Sequence, residues 1–301
     1  MRGVYFLAND AVMELAVAFL NSFRTHNMTT ALCLIPFDRN CTKITRLGPK
    51  YRFEVFEDAE TLAICDETSR RFHNRVEGQY RKLATWNGPF DEFAYIDADS
   101  VLVRPLDFVF RLLDEFGVLT AHSNTLESRK YVWRDSIAGS KELSVDQTAF
   151  AANTGFFASS KKTSLWSGVQ QKAESALRLK GHMALNCHEQ SFLNYLIVTS
   201  GTQYDSLLNL WRRDGRRDIA LEHWAGWRRL SIGNRILARG TPWFAKVFLF
   251  HWAGLRPDLS ISLRNWIIGD QRRSLRGLMS IGSVPCAGLW WRYRLKCEEG
   301  D

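Results

Sequence analysis

No uncharged apolar run approaches the ~20 residues that cross a bilayer; the nearest, "TPWFAKVFLFHWAGL", is short and carries Lys246. A membrane-spanning helix is therefore not expected. The six cysteines, Cys33, Cys41, Cys65, Cys187, Cys286 and Cys297, fall in no CxxC or Cys/His ligand spacing, which leaves a cysteine metal site without support and predicts free thiols in a reducing compartment. The opening "MRGVYFLAND" turns polar after a few apolar residues, so no signal peptide is expected and a cytoplasmic location follows. GxGxxG, P-loop and Gly-x-Ser-x-Gly stretches are also missing, which sets aside dinucleotide oxidoreductases, NTPases and α/β-hydrolases. There is no internal repeat and no low-complexity tract, as befits an ordinary globular chain.

What is present is enough apolar residue to build a core. The 301 residues are 46% hydrophobic and 24% charged, sufficient for one large α/β domain or two small ones. The formal net charge of +8 suits an anionic substrate or surface, and no motif supports nucleic acid as the partner.

Along the chain, "GVYFLAND" reads as a strand ending in a polar loop, with Asn9 or Asp10 as the N-cap of the helix over "AVMELAVAFLNSFRTHN". "TALCLIPFD" and "YRFEVF" are further strands, "ETSRRFHNRVEGQYRKLATW" is charged and mostly helical, and "FAYIDADSVLV" returns to strand. Later, "GVLTAHS", "NTGFFASS" and "VFLFHWAG" read as strands, and "TSLWSGVQQKAESALRLK" and "HEQSFLNYLIV" as helices. Strands alternating with helices predict βαβ units, hence an α/β fold with a mostly parallel, Rossmann-like sheet flanked by helices. In such sheets ligands sit beyond the carboxyl ends of the strands, where Asn9, Asp10, Asp97 and Asp99 all fall.

From about residue 259 the character changes. Residues 259–301 mix Trp266, Trp290 and Trp291 with many arginines. This basic helical extension either lies on an anionic membrane surface or a partner, or packs on the core with its arginines in solvent. The expected division is a catalytic domain over 1–258 and the extension over 259–301.

Two carboxylates one residue apart at the end of a buried strand repel each other and resist burial unless a cation or a shared proton offsets the charge. If Asp97 and Asp99 lie in a strand, their side chains point to one side and both reach one divalent cation. Oxygen-only ligands suit Mg²⁺ or Mn²⁺.

"YIDADSVLVRPLD" resembles the Asp-x-Asp segment of the GT-A glycosyltransferases, especially those similar to glycogenin and the bacterial family-8 galactosyltransferases. Further segments match in the family's order, from Gly3 to about Asp258. By that resemblance, "YRKLATW" gives Lys82 a place beside the donor's phosphate or sugar, and "NTGFF" sets Asn153 and Gly155 at the border of the sugar pocket. "HEQSFLN" puts Glu189 where the family has aspartate and keeps Gln190. "FLFHWAG" makes His251 the third metal ligand. The family's late Lys-Pro-Trp is replaced by Arg256-Pro257, one position early and without the tryptophan; arginine holds phosphate bidentately.

The resemblance implies a metal-dependent hexosyltransferase that uses Mn²⁺ or Mg²⁺ and a nucleotide-diphosphate sugar, UDP-linked, with retention at the anomeric carbon. Asn9 and Asp10 would contact base or ribose, Lys82 and Arg256 the phosphates, and Glu189 and Gln190 the sugar. The acceptor, whether sugar, lipid or protein, is not encoded. Two rivals use the same residues. "DADSVL" and "IIGDQRRS" fit a haloacid dehalogenase-like phosphatase with Asp97 as nucleophile and Asp99 as acid/base, although that nucleophile normally follows the first strand. A degenerate transferase fold acting as a scaffold is the other.

Overall fold

The computed structural model describes residues 1–102, 105–124, 126–214, 220–222 and 247–251. Arg256 and the extension over 259–301 lie outside the described residues, as does the expected boundary at residue 258.

Ten strands are described: β1 Arg2–Ala8, β2 Ala31–Pro36, β3 Glu54–Val55, β4 Glu92–Ile96, β5 Ser100–Leu102, β6 Val118–Thr120, β7 Phe156–Ser160, β8 Tyr204–Ser206, β9 Ala220–Glu222 and β10 Val247–His251. Seven form one sheet in the order β3-β2-β1-β4-β7-β6-β8, and β5-β10-β9 form a second. β1 to β4 are mutually parallel, as the βαβ alternation predicts, and β6 is parallel to β8. β7 runs antiparallel to both of its neighbours.

The sheet is buried on both faces because its strands alternate side chains between two cores. Tyr5, Leu7, Cys33, Ile35, Phe93, Tyr95 and Phe157 face one core. Val4, Phe6, Leu32, Leu34, Ala94, Ile96 and Phe156 face the other. The first core is strongly aromatic: the Phe157 ring stacks on Trp86 and on Tyr95, each at 5.0 Å between centroids. Burying such rings is worth roughly 1.5–3 kcal/mol each.

Helices Met13–His26, Ala59–His73, Val169–Leu177 and Gln190–Val198 flank the sheet. Asn9 starts the first connection as expected, its side chain accepting from Ala11 N at the head of a short 3₁₀ turn that runs into Met13–His26. Helix Ala59–His73 begins before the charged segment that predicted it, capped by Asp58, and ends at Asn74 in the left-handed conformation. The remainder of that segment, Gly78–Trp86, is a 3₁₀ helix. A side chain at Gly78 would collide with the Phe37 carbonyl, so glycine lets this segment lie against the end of β2 and carry Lys82 inward.

The antiparallel β7 places the site. Its first residue, Phe156, pairs with Ile96, the last residue of β4. Residues 153–155 therefore meet Asp97 head-on, and Asp97 N donates to Gly155 O at 2.8 Å.

Candidate active site

Beyond the carboxyl ends of β1 and β4 lies a cleft of about 350 Å³, lined among others by Asn9, Gln79, Lys82, Asp97 and Asp99. The two aspartates do not belong to one strand, which corrects the expectation from strand alternation. β4 ends at Ile96, and Asp97 to Asp99 form a turn, closed by Ser100 N donating to Asp97 O at 3.1 Å, that leads into β5 of the second sheet. The turn, and not a pleat, brings both carboxylates to the same cleft.

Lys82 is buried to 4% exposure. Its Nζ lies 3.1 Å from Asp97 Oδ1 and 2.8 Å from Glu189 Oε1, 3.4 Å from Thr154 O and 5.1 Å from the centre of the Tyr95 ring. Burial alone would lower the ammonium pKa, but the Asp97 and Glu189 carboxylates outweigh it and the pKa is raised. Lys82 is thus not a solvated helix charge. Nor is it free to serve phosphate alone, since it already bridges two carboxylates.

Glu189, 3% exposed, also accepts from Thr154 Oγ1 at 2.8 Å. Tyr95 donates its hydroxyl to Asp97 Oδ1 at 2.6 Å; burial first and the Asp97 charge second raise its pKa well above the ordinary value, so it stays a donor. Tyr95 and Thr154 escaped the sequence reading. The signal for Tyr95 was its place two residues before Asp97, near the end of β4; nothing local marked Thr154.

The other predicted residues divide. Gln190 spans two loops with its amide, Oε1 accepting from Thr154 N at 3.3 Å and Nε2 donating to Tyr131 O at 3.2 Å. Asn153 accepts from Gly155 N at 2.8 Å, which shapes the turn into β7. Asn9 donates to Asp38 Oδ2 at 2.8 Å and lines the cleft. Asp10 instead turns its carboxylate to the backbone N–H groups of Lys43 and Ile44, 2.9 to 3.0 Å away, at the head of the short helix Thr42–Thr45. His251 is the last residue of β10 and pairs in register with Ser100, next to Asp99. Trp133 is buried and donates to Phe150 O at 3.1 Å, which places its ring in the core and not on the cleft.

Among the described residues, Lys82 is ion-paired with both Asp97 and Glu189, and Asp99 lines the same cleft. Two hard oxygen donors on one turn, beside an open cleft, fit a Mg²⁺ or Mn²⁺ ion that takes its remaining ligands from water and substrate phosphate. Among the described residues no group of three or more His, Cys, Asp or Glu side chains is assembled as a metal cage.

Solved structures resemble this fold. The glycosyltransferase GlyE of Streptococcus pneumoniae TIGR4 aligns with a TM-score of 0.53 and 14% identity over 98% of this chain and 61% of its own. An active-site mutant of LgtC aligns at 0.53 and 13% over 98% of this chain and 100% of its own. Mouse xyloside xylosyltransferase 1 aligns at 0.54 and 10% over 84% and 98%. The fold is that of the GT-A glycosyltransferases. A GT-A core accounts for the mixed sheet and for the cleft at the end of β4. The chain spans 61% of GlyE and 46% of the bifunctional WbbM. No family model and no curated protein matches the sequence. Asp97 follows β4 and not the first strand, where the nucleophile of the rival phosphatase reading is expected.

Proposed function

We propose that this chain is a glycosyltransferase that moves a hexose from a nucleotide-diphosphate sugar, UDP-linked, to a sugar, lipid or protein acceptor, with retention at the anomeric carbon. The observation that carries the reading is the cluster at the end of β4: Asp97 and Asp99 open to a cleft, with Lys82 buried between Asp97 and Glu189. The reading is supported by the position of that cluster beyond the carboxyl ends of β1 and β4, the general place for ligands in open α/β sheets.

Asp97 and Asp99, with His251 as a third ligand, would hold Mn²⁺ or Mg²⁺. When bound, the ion supplies Lewis-acid stabilisation of the departing diphosphate. Lys82 supplies the counter-charge to Asp97 and Glu189 and fixes their direction, and its charge adds to the positive potential that growing phosphate charge meets. Arg256 would grip the diphosphate bidentately. Glu189, drawn toward Lys82, presents a carboxylate to the positive charge that develops on the sugar. Gln190 and Asn153 hold the loops around that pocket and Gly155 anchors the Asp97 backbone. Asn9 faces the nucleotide end, and Asp10 braces the neighbouring helix beneath it.

Stabilisation by a bound ligand raises the melting temperature by mass action. UDP or a UDP-sugar should therefore raise it with Mn²⁺ and not without. Asp99→Asn should abolish that metal-dependent shift and lower UDP-sugar hydrolysis by about 10²-fold, the scale of a lost electrostatic stabiliser. Unchanged hydrolysis removes Asp99 from the mechanism. Phosphomonoester turnover with Mg²⁺ and no nucleotide effect would point to a phosphatase, and silence in every assay to a scaffold.

A further inference from the structure

His188 immediately precedes Glu189 and has φ 49° and ψ −108°. A Cβ at positive φ crowds the backbone, so a non-glycine residue there stores strain, and such residues gather where geometry matters to function. Arg52, Asn74 and Ser164 also have positive φ, but each lies in the left-handed helical well at the end of a short or long helix, an ordinary use of that conformation. His188, with its ψ, lies outside that well.

Its neighbours hold it there. His73 Nε2 lies 3.3 Å from His188 O and 3.2 Å from the Tyr80 hydroxyl. Burial lowers the His73 pKa, and a neutral ring with its proton on Nε2 donates to that carbonyl. His188 Nδ1 lies against Glu77 Oε2 at 3.3 Å, without the alignment of a hydrogen bond. His188 N donates to Leu185 O at 3.2 Å. Both clamps are themselves anchored: His73 is the last residue of helix Ala59–His73, and Glu77 N donates to Ser69 Oγ at 2.7 Å.

On the far side there is no slack. Glu189 is the N-cap residue of helix Gln190–Val198, and its carboxylate reaches Lys82 and Thr154 at 2.8 Å each. Turning ψ at residue 188 to an ordinary value would swing the next peptide plane and carry that carboxylate off Lys82. We propose that His188 is a positioning residue: its left-handed backbone, clamped by His73 and Glu77, aims the Glu189 carboxylate at the Lys82 ammonium. The consequence for transfer rests on the role given to Glu189 above; the positioning itself does not.

The test separates backbone from imidazole. His188→Gly removes ring and strain together, whereas His188→Ala removes the ring and keeps the Cβ. The coupling between Lys82 and Glu189, taken from a denaturant-unfolding double-mutant cycle of Lys82→Met and Glu189→Gln, should persist in the His188→Gly chain and at least halve in the His188→Ala chain. His73→Ala should halve it too, and His73→Gln, whose amide can donate to the same carbonyl, should restore it. If the Lys82→Met chain does not fold, protection of the Lys82 ammonium protons from solvent exchange, read by NMR, replaces the cycle with the same expected order. Equal coupling in every chain, or none in the parent, overturns the proposal. In donor hydrolysis, His188→Ala should lower kcat about tenfold with the donor KM unchanged, within the roughly 10²-fold that a 1 Å misplacement can cost; equal losses for Gly and Ala would mean that the ring itself touches substrate and would overturn it as well. A parent chain that turns over no nucleotide sugar sinks the transferase reading alone, and the unfolding cycle still decides on His188.

Discussion

At the scale of single residues, the site is organised by one buried cation. Lys82→Met would leave the Asp97 and Glu189 carboxylates without their counter-charge; breaking a buried pair from one side typically costs about 3–5 kcal/mol. Chemical denaturation of the Lys82→Met chain should show a loss of that size, larger than for any exposed lysine. His73 gives the pH signature. Desolvation lowers its folded pKa below the ordinary 6.5, partly opposed by the His188 carbonyl and Glu77 and aided by His188 and Lys180. Between that folded value and 6.5 the unfolded chain binds more protons, so stability falls as pH drops through 6.5 and levels off below the folded pKa. The unfolding midpoint of the parent should decline over that window, and His73→Gln should flatten the decline.

At the scale of elements, caps and pairing carry the local order. Asp58 accepts from Thr61 N at 2.9 Å and from Thr61 Oγ1 at 2.7 Å, and Arg70 and Arg71 sit at the other end of the same helix, where the dipole favours cations. Asp58→Ala should cost about 1 kcal/mol, seen as a lower melting temperature with the nucleotide response unchanged. The sequence announces most of the long elements: apolar runs mark β1, β2, β4 and β7, and 3.6-residue periodicity marks helices Met13–His26 and Gln190–Val198. It does not announce β8 and β9, which are three residues each and take their form from partners far along the chain. Asp97 and Asp99 stand out by composition, yet their common orientation comes from a turn between two sheets. Lys82 reads as one more charge in a basic helix because its carboxylate partners are 15 residues away at Asp97 and farther still at Glu189. Asp10, conspicuous at the end of β1, is spent on the helix Thr42–Thr45, a contact across 33 residues that no local pattern encodes.

At the scale of the whole molecule, the net charge of +8 and the tryptophan- and arginine-rich residues 259–301 make binding to anionic surfaces the natural question. No helix among the described residues is long and apolar enough to cross a membrane. Sedimentation with phosphatidylserine vesicles at low salt should carry the chain down, and raising the salt should release it, because screening shortens the reach of such attraction to about 8 Å at physiological ionic strength. Removal of residues 259–301 should abolish sedimentation; retention of binding without them would place the contact on the GT-A core.

β7 joins the two halves of the large sheet: β6 and β8 reach β1 to β4 only through it. During synthesis, then, a nascent chain that has emerged only as far as β6 presents β4 as a bare edge, ready to pair with any other strand it meets. Lys82 and Asp97 are already made by that time, but Thr154 and Glu189 are not. The cluster around Lys82 is completed only late in synthesis, and an interrupted message yields a sticky product that lacks it.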